Sequence, residues 1–390
     1  MVKAEIAHDT GKLADALKLL IGVEEEFESK TGNDSAKDDE VLLDLKARML
    51  DTLGAIYLEE GTLKDAEKKL ERAIKIRRGI SQTPANRQAI AFSLNQLAIT
   101  YQTQNRWPES NLQLKEALKI LEEIKRKRAK DDTLVNETLA ITYFYLSQYL
   151  RRSGLLRDLK EAEKLAVRSL KLRESLKDGR IGYAHWLLYM GDSLGDLGRL
   201  LPSLGVDRMD EAERRFKEAL KYRELLVKAR PLNDLYADKL AGTHNNLGLF
   251  YRKRSSLRKP GKPGKPAAER KKDLVKARQH LEKAREIRKE RPKTDGRSKA
   301  ISTNHNNLGL VWNSLGEKDE AEKSFKKSLE IRRELFATNR DNPDLKRDLA
   351  RIETNLGIFY LGPDPEKARK ADAERAVKLL EGARDHWGEF

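Results

Sequence analysis

The 390-residue chain contains no cysteine, which excludes disulfides, thiolate metal sites and a cysteine nucleophile. Proline is scarce, and no apolar run is long enough to span a bilayer. Aromatic residues make up only 6% of the chain, so few side chains are available to stack on nucleobases. The amino-terminal residues lead into no apolar signal segment. We therefore expect a cytoplasmic protein that makes no use of a membrane.

Charged residues are abundant by contrast, at 36% of the chain against 38% hydrophobic residues. Apolar residues nevertheless recur at helical spacing throughout, so the high charge does not indicate disorder. Residues typical of strands never alternate with polar ones, so the sequence does not predict a β-sheet. The net charge of +16 favours acidic partners through long-range attraction.

One phrase recurs seven times: a Leu-Gly-like pair, an aromatic residue three positions on, and then Ala-x-x-x-Leu/Phe-x-x-Ala. Leu150 and Leu194 replace the aromatic residue in the third and fourth copies. The second pattern forms an apolar stripe on one face of a helix. The small residue of the first pattern allows a neighbouring helix to approach closely. A single helix pair cannot bury its apolar face alone, so such pairs stack into an array. The small residues of the seven copies are Gly54, Ala98, Ser147, Gly191, Gly248, Gly309 and Gly357.

The turns inside the helix pairs carry glycines that suit a left-handed helix end, namely Gly61, Gly154, Gly198 and Gly316. Insertions fall in two of these turns. One covers residues 200–206, and the other covers residues 255–272, where Pro, Gly and Lys predict a basic loop in the fifth repeat. Seven helix pairs are predicted over residues 41–390, preceded by a half repeat at 1–30. A short helix over residues 2–8 could supply the missing half of this repeat; otherwise the array begins inside a repeat, which suggests a piece of a longer protein.

The phrase resembles the tetratricopeptide repeat, and the long second helices resemble the extended variety of kinesin light chains and bacterial regulatory proteins. The resemblance covers nearly the whole chain. It implies an all-α fold, a right-handed α-α superhelical solenoid whose first helices line a concave groove. It also implies a non-catalytic scaffold that binds a peptide or a segment of a partner protein in this groove.

Asparagine is a poor mid-helix residue because its side chain competes for backbone hydrogen bonds, yet it recurs just before the Leu-Gly pairs. By the resemblance, residues at this place face the groove, where asparagine commonly holds a peptide backbone or a carboxylate. A nearby arginine could grip a carboxylate with two parallel hydrogen bonds. The alternative is that the asparagines bridge neighbouring helices within the stack. The predicted partner-binding residues are Asn95, Asn245, Asn246, Arg252, Asn306, Asn307, Asn313 and Asn355.

Arginine also recurs, four residues past the last small position of the second helices. The series comprises Arg77, Arg173, Arg223, Arg288 and Arg332. A cation near a helix carboxyl terminus is favoured by the helix dipole. Neighbouring Glu174, Glu224 and Glu334 offer local charge partners. We interpret this series as structural.

Signatures of catalysis are missing from the sequence. The six histidines show no paired ligand spacing, and no phosphate loop, nucleophile elbow or dinucleotide fingerprint occurs. We predict no metal, no cofactor and no enzymatic activity. The leading hypothesis is a scaffold that binds an acidic peptide or protein segment. The alternatives are a nucleic-acid-binding solenoid and the sensor or regulatory module of a larger bacterial effector. The oligomeric state stays open.

Overall fold

A computed structural model describes residues 13–30, 39–127, 132–177, 183–257, 265–291 and 294–387 of the chain. These residues form fifteen α-helices and no β-strand, so the predicted all-α class is confirmed. The chain divides into two compact units, unit 1 over residues 1–233 and unit 2 over residues 234–390. Of the predicted half repeat, residues 1–12 lie outside the described residues.

Unit 1 contains nine helices, all within its described residues. They are α1 (Leu13–Lys30), α2 (Glu40–Glu60), α3 (Leu63–Gly79), α4 (Pro84–Thr103), α5 (Trp107–Lys127), α6 (Thr133–Arg151), α7 (Leu156–Ser175), α8 (Tyr183–Leu204) and α9 (Met209–Ala229). Unit 2 contains six in the part that is described. They are α10 (Asp234–Leu257), α11 (Lys265–Lys289), α12 (Asp295–Leu315), α13 (Lys318–Thr338), α14 (Pro343–Leu361) and α15 (Lys370–Trp387).

From α2 onward the helices pair in sequence, so that each even-numbered first helix packs on the odd-numbered second helix that follows it. Short turns join the two helices of most pairs. Gly61, Gly154 and Gly316 have φ angles of 84°, 68° and 89° in these turns, which confirms the predicted left-handed helix ends. Capping side chains start several first helices. Thr83, for example, accepts a hydrogen bond from the Asn86 backbone N–H and precedes Pro84.

The small residues of the first helices allow close packing, as predicted. A Cβ atom added to Gly54 would lie 2.6 Å from Leu70 Cγ, and one added to Gly309 would lie 2.7 Å from the Phe325 ring. Gly248 and Gly357 are covered in the same way by leucines of their own second helices, Leu281 and Leu380. In each case the covering residue is the large central residue of the Ala-x-x-x-Leu/Phe-x-x-Ala stripe.

The fourth repeat departs from its predicted register. Gly198 lies inside α8, where a Cβ atom added to it would lie 2.8 Å from the Phe216 ring, whereas Gly191 faces Arg223. The predicted turn at Gly198 is therefore wrong, and Leu197-Gly198 is the Leu-Gly pair of this repeat. Helix α8 continues through the predicted insertion because Leu200 and Leu201 are buried. The turn comes later, at the short 3-10 segment Val206–Arg208.

The corrected register also makes the repeat more regular. Gly198 lies 51 residues after Ser147 and 50 residues before Gly248, whereas Gly191 gives spacings of 44 and 57 residues. It also reveals a second small position, seven residues before the first, that the sequence analysis missed. This position is buried in all seven repeats, where it is occupied by Ala47, Ala91, Ala140, Gly191, Ala241, Ser302 and Ala350.

Two glycines of α8 provide a matched test of this register. We expect Gly198→Ala to lower the free energy of unfolding by about 1–3 kcal/mol, because the new methyl group would overlap the Phe216 ring. We expect Gly195→Ala to be neutral or to stabilise by up to about 1 kcal/mol, since its Cβ would meet only Ala219 Cβ at 4.0 Å. Urea unfolding followed by ellipticity measures both. Equal effects of the two substitutions would contradict the register.

Part of the predicted basic loop is helical. Residues 255–257 belong to α10 and residues 265–272 to α11, so the loop prediction is wrong for these positions, while residues 258–264 lie outside the described residues. An ion pair of 2.7 Å between Arg254 and buried Asp273 holds the two helix ends together. Ala267 and Ala268 also favour helix despite the lysines around them.

Candidate functional site

Three first helices of unit 2 present residues at i, i+4 and i+7, a spacing that places them on one helix face. We call these nine residues the unit 2 face. Leu249, Leu310 and Asn355 are partly exposed, and Ile358 is 55% exposed. The set holds two arginines and no carboxylate. Its members are Asn245, Leu249 and Arg252 of α10, Asn306, Leu310 and Asn313 of α12, and Arg351, Asn355 and Ile358 of α14.

Asparagines join the first helices of this face. The Oδ1 atom of Asn245 accepts hydrogen bonds from Asn304 Nδ2 at 2.9 Å and from Asn307 Nδ2 at 3.0 Å. In the next repeat, Asn306 Oδ1 accepts a hydrogen bond of 2.9 Å from Asn355 Nδ2. Each repeat is thus tied to its neighbour by amide side chains, and this satisfies groups that would otherwise be buried without partners.

In unit 1, Asn95 has the same role. It is buried, and its Nδ2 donates to Thr142 Oγ1 at 2.9 Å and to the Thr138 carbonyl at 3.2 Å. Thr142 Oγ1 in turn is 3.1 Å from Asn95 Oδ1. Five of the eight predicted partner-binding residues therefore use their amide groups between helices of the stack. They are Asn95, Asn245, Asn306, Asn307 and Asn355.

The other three predicted residues are different, because the side chains of Asn246, Arg252 and Asn313 make no hydrogen bond or ion pair with a described residue. Arg252 is half-buried, and its Nε atom is shielded from solvent without a hydrogen-bond partner. Burial lowers the pKa of Arg252, since removal of water disfavours its charged form. An arginine that keeps its charge at this place lacks a counter-charge, and a bound carboxylate would supply one.

The five arginines of the second helices are all buried, with exposed fractions between 1% and 8%. Their partners are not the neighbouring glutamates that the sequence suggested. Asp51 lies 2.5 Å from Arg77, Asp192 lies 2.5 Å from Arg223, and Asp348 lies 3.2 Å from Arg332, each on a first helix. Arg288 contacts Asn304 and lies 3.8 Å from Asp238, whereas Arg173 donates to Ser193 and to the Tyr189 carbonyl.

This arrangement explains the second small position. A Cβ atom at Gly191 would lie 2.7 Å from Arg223 Nε, so the small residue leaves room for the guanidinium to reach the first helices. The sequence carried a signal for these contacts, because the arginines and the small residues both recur in register. Nothing in a single sequence pointed to which carboxylates they meet.

Unit 1 also contains a cavity of about 910 Å³ on its first-helix side. Its walls come from α2, α4, the end of α3 and the start of α6. Phe92 and Ala89 of α4, Ala55 of α2, and Leu134 of α6 form much of its apolar surface, and charged residues of α2 form its rim. None of the eight predicted partner-binding residues lines this cavity, and the asparagine pattern of the sequence did not predict it.

The sequence matches no curated protein sequence. Two sequence models described as tetratricopeptide repeat match residues 45–123 and residues 306–344. These two segments of the chain are tetratricopeptide repeats. The predicted all-α solenoid of such repeats is confirmed.

Among solved structures, this chain is similar to the apo form of RapI. The two are 12% identical with a TM-score of 0.52, and the match covers 86% of this chain and 97% of that one. A Rap protein complexed with Competence and Sporulation Factor is 14% identical with a TM-score of 0.51, and the match covers 100% and 94%. BtubC from P. vanneervenii is 19% identical over 72% and 93%, with a TM-score of 0.49. At these identities the likeness shows the fold alone.

The described residues contain no cluster of three or more histidine, cysteine, aspartate or glutamate side chains that could hold a metal ion. None of their helices combines the length and the apolar character needed to cross a membrane.

Proposed function

We propose that this protein is a non-catalytic protein-interaction module that binds an acidic segment of a partner protein on the unit 2 face. The repeat fold is that of a protein-interaction or regulatory module. The observation that carries the finer proposal is Arg252, a half-buried guanidinium with no partner among the described residues. A carboxylate from outside could accept two parallel hydrogen bonds from it.

Other residues of the unit 2 face suit a peptide. Asn313 offers an amide group to a peptide backbone, and Leu249, Leu310 and Ile358 offer apolar contact. Asn246 of α10, outside the nine residues, is a further amide without a partner among the described residues. Such a surface combines a charged anchor with apolar area, which is the usual composition of a peptide-binding site.

The distribution of charge supports the acidic character of the partner. Residues 234–390 carry 37 lysines and arginines against 25 aspartates and glutamates, whereas residues 1–233 carry 42 against 38. Most of the positive excess therefore belongs to unit 2, where it would speed association with acidic segments.

A nucleic acid would also be attracted by this charge. However, the nine residues of the unit 2 face include no aromatic side chain on which a base could stack. We therefore place nucleic acid second. Binding to a single-stranded oligonucleotide that falls steeply with salt, without any binding to peptides, would reverse this order.

Selection from a random dodecapeptide library displayed on phage tests the proposal. We expect the selected peptides to be enriched in Asp and Glu. We also expect Arg252→Gln to lower the affinity for a synthetic acidic peptide about tenfold, because a charge-assisted contact worth about 1.4 kcal/mol is lost. Fluorescence anisotropy measures this affinity.

Arg369→Gln is the matched control, because Arg369 is an exposed arginine of unit 2 that is not one of the nine residues of the unit 2 face and that pairs with Asp372 of α15. We expect it to bind the acidic peptide as the wild type does. A selection without acidic enrichment, or an unchanged affinity in Arg252→Gln, would overturn the assignment.

A further inference from the structure

The cavity of unit 1 has a charge pattern opposite to that of the unit 2 face. Three carboxylates line it, those of Glu40, Asp44 and Asp51, against the two guanidinium groups of Arg48 and Arg77. Both cations are already paired. Arg77 lies 2.5 Å from Asp51, and Arg48 lies 2.8 Å from Asp44. The cavity therefore has an excess of one negative charge, carried by Glu40 at its rim.

The floor of the cavity holds two acceptors without donors. Asp51 and Asn86 are 6% and 8% exposed, and both line the cavity. The Oδ1 atom of each is buried and has no hydrogen-bond partner in the described part of the chain. The other side-chain atoms of both residues are used, because Asp51 Oδ2 accepts from Arg77 and Asn86 Nδ2 donates to the Arg77 carbonyl. A buried acceptor left unsatisfied is costly, and the negative charge on these oxygens favours a cation placed in the cavity above them.

The walls of the cavity are apolar above this polar floor. Phe92 and Ala89 form one side, Val41 and Ala55 another, and Leu134 lies at an edge where it is 54% exposed. Lysine and arginine side chains have this division, with an apolar stem and a cationic head that donates hydrogen bonds. An acidic side chain would bring no donors and would add to the negative excess.

We propose that the unit 1 cavity binds a lysine or arginine side chain of a partner-protein segment. This inference rests on the proposed function in one respect, that first-helix faces of this protein bind protein segments. In the complex the stem packs against Phe92, and the head is placed among the carboxylates of Glu40, Asp44 and Asp51. The two units then select opposite charges, the unit 2 face through Arg252 and the unit 1 cavity through its carboxylates.

The same phage library tests this proposal separately, because its probes are random dodecapeptides. We expect a second family of selected peptides, enriched in Lys or Arg beside an apolar residue. A fluorescein-labelled peptide of this family should bind the double variant Glu40→Gln/Asp44→Asn about tenfold more weakly than it binds the wild type. Glu40 is exposed and Asp44 is partly exposed, and the Arg77–Asp51 pair stays intact in the variant, so the fold is kept.

The controls separate the two proposals. Glu116→Gln removes a partly exposed carboxylate of α5 outside the cavity, and Arg252→Gln alters only the unit 2 face. Neither should change the affinity for the basic peptide. Loss of the acidic family alone would refute the proposed function and leave the cavity assignment standing. Absence of the basic family, or a basic peptide indifferent to Glu40→Gln/Asp44→Asn, would refute the cavity assignment.

Discussion

Replacing Arg77 with methionine will destabilise unit 1 by about 3–5 kcal/mol, because it leaves the carboxylate of Asp51 buried without its counter-charge. Asp51 is 6% exposed, and burial already raises its pKa despite the presence of Arg77. Without the guanidinium, the cost of burying the Asp51 carboxylate is no longer offset by its attraction to Arg77. Hydrogen exchange of the backbone amides in α2–α4 measures the effect within unit 1.

Two further variants identify the cause. Arg78→Met changes the adjacent arginine, which is 53% exposed and pairs with Glu116 at the surface, and it should cost less than about 1 kcal/mol. The double variant Asp51→Leu/Arg77→Met removes both charges and should recover most of the loss. If the double variant were as unstable as Arg77→Met, packing of the arginine stem rather than an unpaired charge would explain the result.

The second large effect concerns acid. Burial lowers the pKa of both His244 and His305 from 6.5 to about 4, and nearby positive groups add to this. His280 and Lys283 face His244, and Arg285, Lys327 and the opposing charge of Glu330 face His305. The unfolded chain therefore binds more protons than the folded one between pH 6.5 and 4. The free energy of unfolding therefore keeps its full value above pH 6.5 and decreases as the pH is lowered, by about 2–3 kcal/mol for each histidine at pH 4.5.

His305→Gln separates this effect from that of carboxylates, which also titrate in acid. The wild type and the variant should lose stability between pH 7 and pH 4.5 by amounts that differ by about 2–3 kcal/mol, with the variant less sensitive. Hydrogen exchange in α12 and α13 at the two pH values gives this difference. If the wild type and the variant lost the same stability between pH 7 and pH 4.5, His305 would accept a proton in the folded state without penalty.

The helix pairs could be predicted from the sequence because their signals are local and repeated. A small residue and a large stripe residue recur in phase, and six of the seven copies had the register that the structure shows. The fourth failed because α8 contains Gly191, Gly195 and Gly198, and any of these can be read as the small position. Only the contact of Gly198 with Phe216 decides among them.

The candidate site was harder to predict, because its residues are defined by contacts between repeats. The sequence placed the asparagines correctly on the first helices, yet their phase could not show that Asn304 and Asn307 would converge on Asn245. The unit 1 cavity depends on the distance between α2, α4 and α6, which no local pattern encodes. Arg252 could be singled out by its position, but its lack of a partner appears only in three dimensions.

The row of guanidinium groups inside the repeats has a consequence for temperature. Charged groups lose hydration free energy as water is heated, so the penalty for burying them falls. Five such groups, each reaching polar atoms of a first helix, would therefore oppose folding less in hot water than in cold. An interior of this kind favours a protein whose resistance to heat exceeds what its small apolar core alone would give.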